Sequence, residues 1–357
     1  MAQASPEAVT IIEVAQLAGV SKSTAARALA GNGSVSSKAR QAVEAAAQTL
    51  GYQPNAIARS MITGKTTTIG VIIPDISNPY FANAVRGIST TAREAGYDVL
   101  LSSTEGELSL ERRAVSVLAG KKADGVIVAP VSNEDTTHLE ELDSKGIAVT
   151  LLDRPAPKVT TASYVALDHV GASSMAVQHL LDLGHRSIGI VTVATALLPD
   201  QIDPESAPSL RPSTARLLGY AMALRGAGIR YDPELVASSS YARHSAGDAV
   251  RYLLQSNPGI TALYCTDGEM TAGAFAALQD MGIDCPGHLS LVGFDDQDWT
   301  TLVRPRLTVV EQPSYQLGRT AFKELSASML NPNERRRNRT LAGRLVVRES
   351  TARSRLA

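Results

Sequence analysis

The feature that most restricts the fold of this chain is a tight turn at Gly19, which separates two short helical patterns. The first pattern begins with Thr10-x-x-Glu13, a capping box in which each residue's side chain satisfies a backbone N–H of the other. Ser21 can cap a second helix directly after the turn. We expect the first helix to bury one apolar face, formed by Val14, Leu17 and Ala18. Two short helices joined so tightly predict a helix-turn-helix, which is too small to form an enzyme core.

The second helix has an exposed face that suits a DNA groove. Positions i, i+1, i+4 and i+5 share one side of a helix, and here they are Lys22, Ser23, Ala26 and Arg27. The residues expected to point inward are Ala25, Ala28 and Leu29. Arg27 can pair with guanine through two hydrogen bonds, an interaction worth about 1–3 kcal/mol of discrimination. The alternative is that Lys22 and Arg27 are simply solvated, as surface charges usually are.

A third helix and a short segment complete this region. Ser36 or Ser37 caps the third helix, and Gly51 ends it. Its expected buried residues are Val43, Ala46 or Ala47, and Leu50. After Pro54-Asn55 there is room for only one or two helical turns, which are unstable alone in water because nucleation is unfavourable. We therefore expect that segment to be helical only when a partner holds it.

These segments together resemble the LacI/GalR family of bacterial repressors. The resemblance rests on the capped first helix, on Val20-Ser21, on Arg27-Ala28-Leu29, and on Gly51-Tyr52-Gln53-Pro54-Asn55 before Ala58-Arg59-Ser60. In that family the segment after Pro-Asn is a hinge helix that pairs across a homodimer and lies in the minor groove of a bent, palindromic operator. Met61 stands where a leucine usually wedges between base pairs, and Ala26 replaces a common serine, so the operator sequence stays open. The DNA-binding residues that the resemblance implies are Thr10, Ser21, Lys22, Ser23, Thr24, Arg27, Ser36, Asn55, Ala58, Arg59 and Met61.

Charge and composition agree with a DNA-binding region attached to a larger body. Residues 1–65 have six Lys or Arg against three acidic residues, a net charge of +3, and residues 66–357 have 28 against 32, a net of −4. A basic end on an acidic body directs phosphate contacts to that end. A chain of 357 residues should form more than one domain. Its two cysteines lack metal-ligand spacing, and its N-terminus lacks a signal peptide, so we expect a cytoplasmic, nucleoid-associated protein without cofactor or metal.

From Thr66 onward, short apolar runs alternate with amphipathic helical patterns, which is typical of parallel sheets covered by helices on both faces. The expected strands are 68–73, 99–102, 125–129, 148–152 and 188–192, and the expected helices are 83–95, 110–119, 134–145 and 171–183. The runs at 69–74 and 188–193 are so alike that they predict the opening strands of two similar lobes. A ligand would lie between such lobes, at the carboxyl ends of the strands.

This region is similar to the type I periplasmic-binding-protein fold, which the family uses to sense effectors. The fold class is therefore α/β: an N-terminal all-α helix-turn-helix domain with a hinge helix, then two lobes with doubly wound parallel sheets. The resemblance implies these boundaries: a disordered N-terminus over 1–9, the helix-turn-helix domain over 10–53, hinge and linker over 54–65, a first lobe over 66–165 and 312–341, a second lobe over 166–311 and 342–351 with a last strand at 345–348, and a tail over 352–357. The segment from Pro199 to Pro212 has four prolines and no apolar period, and we interpret it as a surface insertion.

Polar and aromatic side chains follow several of the expected strands. Asn78, Tyr80 and Phe81 follow the first, Asp153-Arg154 follow another, and Asp295 follows Leu-Val-Gly-Phe. Such a set supplies hydrogen bonds for sugar hydroxyls and aromatic surfaces for the C–H face of a ring. It is similar to the pentose sites of ribose-binding proteins, although Thr266 replaces the usual asparagine. The effector-binding residues expected from that similarity are Asn78, Tyr80, Phe81, Asp153, Arg154, Arg216, Tyr241, Thr266, Asp295 and Gln312.

The function predicted from the sequence is a transcriptional regulator, in the first instance a repressor, whose operator affinity depends on a ribose-like sugar or a nucleoside. The alternative is a regulator activated by a co-repressor such as a hexose or a purine. A sugar-metabolising enzyme is disfavoured because Asp295 and Asp296 are adjacent and would point to opposite faces of an extended segment. His169, His179 and His185 lack metal-ligand spacing and are interpreted as surface or hydrogen-bonded residues. A plain sugar-binding protein would lack residues 10–63.

Overall fold

The computed structural model describes residues 9–30, 34–52, 65–197, 203–331 and 337–355, and the chain divides into two compact units at Thr67. In the first unit three helices pack together: α1 (Ile11–Leu17), α2 (Lys22–Ala30) and α3 (Ser37–Leu50). The expected hinge helix and the N-terminal residues 1–8 lie outside the described residues.

Local signals place the ends of these helices. The backbone N–H of Thr10 donates to Glu13 Oε2 over 2.7 Å, which confirms the capping box. Gly19 and Gly51 both have φ near +65°, a left-handed conformation that glycine adopts without strain, and both end a helix. The buried core is small and consists of Val14, Ala15, Ala25, Ala28, Val43, Ala46 and Ala47. The expectation for Leu17 was wrong: its side chain is 55% exposed, because Ala15 instead faces the other two helices.

The second unit contains two six-stranded sheets. The first sheet has the order β11-β5-β4-β3-β1-β2 and is parallel throughout. Its strands are β1 (Thr68–Ile73), β2 (Asp98–Ser103), β3 (Gly125–Val128), β4 (Ala148–Leu152), β5 (Ser163–Leu167) and β11 (Asn338–Leu341). The helices on its faces are α4 (Pro79–Glu94), α5 (Leu108–Gly120), α6 (Thr137–Ser144) and α12 (Ser314–Leu330).

The second sheet has the order β12-β10-β9-β8-β6-β7, and all its pairs are parallel except β10 with β12. Its strands are β6 (Ile188–Thr192), β7 (Val236–Ser238), β8 (Ala262–Cys265), β9 (Ser290–Phe294), β10 (Thr308–Glu311) and β12 (Arg344–Val346). The helices around it are α7 (His169–Asp182), α8 (Pro212–Gly226), α9 (Arg243–Ser256), α10 (Gly268–Asp280) and the short α11 (Trp299–Leu302). We call the two sheets with their helices the first lobe and the second lobe.

Alternation along the strands builds two apolar layers in each lobe. On β1, Ile69, Val71 and Ile73 face α4 and α12, whereas Ile72 faces α5 and α6. At Gly70 an added Cβ would lie 2.3 Å from a methyl group of Leu118, so a larger residue would displace the Leu118 side chain, by which α5 packs on the sheet. Each sheet is therefore covered on both faces, as the uninterrupted apolar runs predict.

The chain passes between the lobes after Leu167, after Glu311 and after Leu341. Ala166 and Leu167, expected in the second lobe, are instead the last residues of β5. The helix expected to begin at residue 83 begins at Pro79, because the Asn78 side chain caps it and proline is favoured in a first turn. The expected tail is bound to the second lobe: the N–H of Ser354 donates to the carbonyl of Leu183.

Candidate DNA-binding face and candidate ligand cleft

The exposed side of α2 is formed by the residues expected to face outward. Lys22, Ser23 and Arg27 are exposed, whereas Ala25 and Ala28 are buried. Nε of Arg27 donates to the carbonyl of Ser23 over 3.2 Å, which holds the base of the guanidinium along the helix. Basic and hydroxyl side chains thus lie together on this side of α2, and Ala26, also expected there, is half-buried.

Several of the other expected DNA-binding residues also stabilise the helices. The Ser21 hydroxyl accepts the N–H of Thr24 at 3.1 Å and lies 3.0 Å from the Ser23 hydroxyl, so it caps α2. The Ser36 hydroxyl accepts the N–H of Ala39 and caps α3, which settles the choice between Ser36 and Ser37. Thr10 is exposed at the start of α1. The residues that lie outside the described part of the chain are Asn55, Ala58, Arg59 and Met61.

A cleft of about 870 Å³ lies in the second unit, between the carboxyl ends of strands from the two lobes. From the first lobe, Asn78 and Tyr80 line it at the N-terminus of α4, and Asp153 and Arg154 line it at the end of β4. The Tyr80 hydroxyl donates to Asp153 Oδ1 over 3.0 Å. Phe81 also lines the cleft, and the Arg154 guanidinium lies 5.9 Å from the centre of its ring.

From the second lobe, Arg216 on α8 is the centre of a buried network. Its Nη1 donates to the carbonyl of Thr266 over 2.5 Å, and its Nη2 donates to Gln312 Oε1 over 3.4 Å. Gln312 in turn donates through Nε2 to Asp295 Oδ1 over 2.6 Å. The guanidinium also lies 4.0 Å from the centre of the Phe294 ring, within cation–π distance. This network joins the end of β9 to the crossover at Gln312.

His169 extends the network to the first lobe. Arg216 Nε donates to His169 Nδ1 over 3.3 Å, and His169 Nε2 lies 3.5 Å from Asp153 Oδ1. Burial and the charge of Arg216 lower the pKa of His169, although Asp153 opposes that effect. Because Arg216 and Asp153 come from different lobes, His169 lies between the two sides of the cleft. His179 and His185 are hydrogen-bonded elsewhere in the second lobe, as expected.

The pKa values of the carboxyl groups in the cleft are shifted in opposite directions in the two lobes. Burial would raise the pKa of Asp153, but His169 and the arginines outweigh it, and the pKa lies below its usual value. Burial raises the pKa of Asp267 to about 6, and the neighbouring Asp295 adds to that effect. Burial also raises the pKa of Asp295, against the opposing charge of Arg216. The second-lobe side of the cleft therefore has two carboxyl groups with raised pKa values.

Asp153 and Asp295 occupy equivalent places in the two lobes. Asp153 directly follows β4 and has φ of 66°, and Asp295 directly follows β9 and has φ of 68°. A left-handed backbone at a non-glycine residue is strained and is maintained only when its surroundings fix it. Here Tyr80 fixes the first carboxylate, and Gly268 N–H and Gln312 fix the second. Both aspartates are thus held with their carboxylates towards the same cleft.

Of the ten residues expected to bind an effector, nine line the cleft: Asn78, Tyr80, Phe81, Asp153, Arg154, Arg216, Tyr241, Asp295 and Gln312. Thr266 does not. Its side chain is buried, and its hydroxyl donates to the carbonyl of Val191 over 3.1 Å. It acts on the cleft through its own carbonyl, which accepts from Arg216.

Asp267 and Arg211 are among the lining residues that the sequence did not predict. Asp267 directly follows β8, and its carboxylate accepts the N–H of Glu269 at the start of α10, so the N-cap signal after that strand could have identified it. Arg211 precedes Pro212, and a proline in a first turn marks the start of a helix at this edge of the sheet. The segment of residues 199–212 was expected to be a surface insertion, yet Arg211 and Pro212 line the cleft.

The cleft can bind a polar ring. It offers guanidinium donors, carboxylate acceptors, the Asn78 and Gln312 amides and aromatic faces around one space. Among the described residues, no group of three or more His, Cys, Asp and Glu side chains could hold a metal ion. In the described part of the chain no helix has the length and apolar character needed to cross a membrane.

Comparisons with known proteins agree with both regions. A model of bacterial regulatory proteins of the lacI family matches residues 10–55, and a model of a periplasmic binding protein-like domain matches residues 177–351. Catabolite control protein A of Priestia megaterium is 34% identical over 321 residues, which cover 90% of this chain and 92% of that protein. The HTH-type transcriptional repressor CytR of Escherichia coli is 31% identical over 344 residues, which cover 96% of each chain.

Solved structures agree with these relatives. A complex of the transcriptional regulator CelR with cellobiose has a TM-score of 0.69 and 28% identity, covering 96% of this chain and 99% of that one. A LacI family transcriptional regulator from Enterococcus faecium with bound ribose has a TM-score of 0.67 and 26% identity, covering 81% and 100%. The chain therefore belongs to the LacI family of bacterial regulatory proteins, and it is a DNA-binding transcriptional regulator and not an enzyme.

Proposed function

We propose that this protein is a homodimeric repressor, bound to palindromic operators on the nucleoid, and that a sugar held in the cleft controls its operator affinity. The DNA-binding domain is residues 10–53, and the hinge over 54–65 rests on the sequence pattern alone. The proposed effector is a ribose-like sugar or a nucleoside. The observation that carries this proposal is the convergence of nine expected contact residues on one cleft between two lobes.

DNA recognition is assigned to the exposed side of α2. Lys22, Ser23 and Arg27 would contact the major groove, because base-specific contacts in helix-turn-helix proteins come from the second helix. Arg27 is given the base-specific role, since a guanidinium can bind guanine O6 and N7 together. Thr10, Ser21, Thr24 and Ser36 would contact phosphates while they cap or support their helices.

Effector binding is assigned to the network around Arg216. A bound ring would accept hydrogen bonds from Arg154 and Arg216, donate to Asp153 and Asp295, and place its C–H face against Phe81. The ribose and cellobiose complexes of similar proteins support a sugar. Because the contacts come from both lobes, a ligand favours the closed cleft, and it can change operator affinity only through its preference for one state.

Dimerisation is assigned to the first lobe. β2 is an edge strand with Leu100 and Leu101 exposed, and Leu110 and Val117, seven residues apart on α5, are exposed as well. Adjacent apolar residues on an edge strand and a neighbouring helix are typical of an interface. Sedimentation of the full-length protein at equilibrium measures the stoichiometry directly.

Replacing Arg27 by alanine tests the DNA assignment. We expect binding to a selected operator to weaken about 10- to 100-fold, with relaxed preference at one base pair of each half-site. Lys38→Ala is the matched control, because it removes one exposed positive charge from α3 and should weaken all sequences equally. A salt series on the operator and on a scrambled site separates the two effects. Unchanged sequence preference in Arg27→Ala would contradict the assignment.

Calorimetric titration of the protein tests the effector. The ligands are D-ribose, other pentoses, hexoses, nucleosides and free purines, and we expect heat with a pentose or a nucleoside. Binding to hexoses or free purines alone would remove this effector class. Gel shifts on the operator with and without the bound ligand then determine the sign: an inducer lowers operator affinity, and a co-repressor raises it.

A further inference from the structure

Two arginines reach the same corner of the cleft from opposite lobes. Arg211, directly before α8 in the second lobe, donates through Nη1 to the carbonyl of Val131 over 2.9 Å. Arg154, directly after β4 in the first lobe, donates through Nη1 to the carbonyl of Pro130 over 3.4 Å. Pro130 and Val131 are neighbours, so successive carbonyls hold the two guanidiniums beside each other. Both arginines line the cleft.

The peptide that holds them is itself fixed. The backbone N–H of Val131 donates to Oε2 of Glu111 over 2.7 Å, and Oε1 of the same carboxylate lies 2.7 Å from His138 Nε2. Glu111 is fully buried. The position of the Val131 carbonyl, and with it the position of Arg211, is therefore set by the interior of the first lobe.

Neither guanidinium has a carboxylate partner within 4 Å among the residues that the structure describes. The carboxylates of the cleft are occupied elsewhere: Asp153 by Tyr80, Asp267 and Asp295 by the N-terminus of α10, Glu269 by Arg243 and Asp75 by Ser77. Glu105 lines the cleft and is exposed. Burial and then the charge of Arg154 lower the pKa of Arg211, against smaller opposing effects of Tyr241, Asp153 and Glu111, so the two cations repel each other.

We propose that Arg154 and Arg211 form an anion subsite that binds a phosphate or carboxylate group on the effector. This inference rests on the sugar-binding function proposed above. Guanidiniums bind oxyanions through paired, charge-assisted hydrogen bonds, and an anion between these two would remove their repulsion. A cleft of about 870 Å³ is near the upper end of the range for small-molecule sites, which leaves space for a charged substituent beside the ring.

The test is calorimetry of the full-length protein with D-ribose, D-ribose 5-phosphate, D-ribonate and inorganic phosphate. The measured quantity is the ratio of the affinity for each anionic sugar to the affinity for D-ribose. In the wild type we expect a ratio of at least ten for one of them, falling as salt is raised. Arg211→Gln should bring that ratio close to one, and Arg211→Lys should keep part of it. Arg251→Gln, which removes a surface arginine far along α9, should leave the ratio unchanged.

The outcomes distinguish a phosphate from a carboxylate group. They also distinguish failure of the anion subsite from failure of the proposed sugar effector. A high ratio for D-ribose 5-phosphate alone identifies a phosphate, and a high ratio for D-ribonate alone identifies a carboxylate. Equal or tighter binding of D-ribose overturns the anion subsite and leaves the sugar effector intact. A ratio that survives in Arg211→Gln also overturns the subsite. If no sugar binds, the proposed ribose-type effector is wrong and the subsite with it.

Discussion

The helical first unit and the two-lobed second unit place their candidate functional residues in opposite surroundings. In the first unit, Lys22, Ser23 and Arg27 are exposed, and the small core lies entirely behind them. In the second unit, Asp153, His169 and Arg216 are buried, Arg216 donates a hydrogen bond to His169, and His169 lies 3.5 Å from Asp153. We therefore expect substitutions on the exposed side of α2 to change stability little, whereas substitutions in the cleft network should also destabilise the second unit.

The difference follows from what each region has to recognise. DNA is larger than the helix that reads it, so the helix can present side chains outward and let the partner exclude water. A small polar ligand must be enclosed, and its contact groups are therefore desolvated before it arrives. Desolvated polar groups must satisfy one another, which is why Arg216 has bonds to Thr266, Gln312 and His169.

Replacing Arg216 by alanine should have the largest effect, because it tests whether the buried cleft network both stabilises the second unit and binds the effector. We expect the free energy of unfolding of the second unit to fall by about 3–5 kcal/mol, because three buried acceptors, on Thr266, Gln312 and His169, lose their charged donor. Effector binding should be lost in the same variant. Denaturant unfolding followed by tryptophan fluorescence measures the first effect, since the chain has one tryptophan, Trp299, and it lies in the second unit.

Arg251→Ala is the control for Arg216→Ala. Its guanidinium pairs with Asp248 and Asp280 on the surface, and such pairs contribute about 0–1 kcal/mol. If Arg216→Ala lowers the free energy of unfolding by less than about 1 kcal/mol, the network does not stabilise the second unit. The contrast between the two units would then disappear.

Replacing Val43 by alanine tests the other side of the comparison. Val43 is completely buried in a core made otherwise of alanines and Val14, so we expect a loss of about 2 kcal/mol from the first unit alone. Operator affinity should fall with it, while the affinity for the effector and the unfolding of the second unit stay unchanged. Differential scanning calorimetry resolves the two transitions, and the exposed Gln48→Ala on α3 is the control. One shared transition that shifts as a whole would show that the units are not independent.

The sequence predicted those parts of the molecule that local interactions decide. The capping box at Thr10 and Glu13 and the left-handed Gly51 depend on residues within one helical turn, and both were identified. The apolar run of β1 predicted a strand buried on both faces. The carboxyl ends of parallel strands meet at one edge of each sheet, so Asp153 and Asp295 could each be placed at that edge of its own lobe. That the two edges face one cleft followed from the two similar lobes and from the resemblance to the type I periplasmic-binding-protein fold.

The errors concern interactions between distant segments. Thr266 and Asp267 are adjacent, and only the approach of Arg216 and Val191 decides that the first points inward while the second lines the cleft. Arg211 lies in a proline-rich segment without periodicity, and its role depends on Val131, 80 residues earlier. Leu17 fits the apolar face of α1 by spacing, but it is exposed because the other two helices pack against Ala15 instead.

Replacing Asp267 by asparagine gives the smallest expected effect. It tests whether a buried carboxyl group of the cleft lowers the stability of the second unit. Burial and Asp295 raise the pKa of Asp267 from 3.8 to about 6, so the folded state binds a proton more tightly than the unfolded state. The wild type should therefore lose stability as pH rises from about 4 to about 6, and then level off. Asparagine can still accept the N–H of Glu269 as an N-cap but does not ionise. We expect Asp267→Asn to be more stable than the wild type by about 1–2 kcal/mol at pH 8, with no difference near pH 4.

Urea unfolding at pH 4.5, 6 and 8 measures this difference, with the exposed Asp98→Asn as the control for loss of one negative charge. Two results would contradict this prediction: a stability difference that does not depend on pH, or a variant less stable than the wild type at pH 8. Either result would mean that the ionised Asp267 carboxylate does not destabilise the second unit.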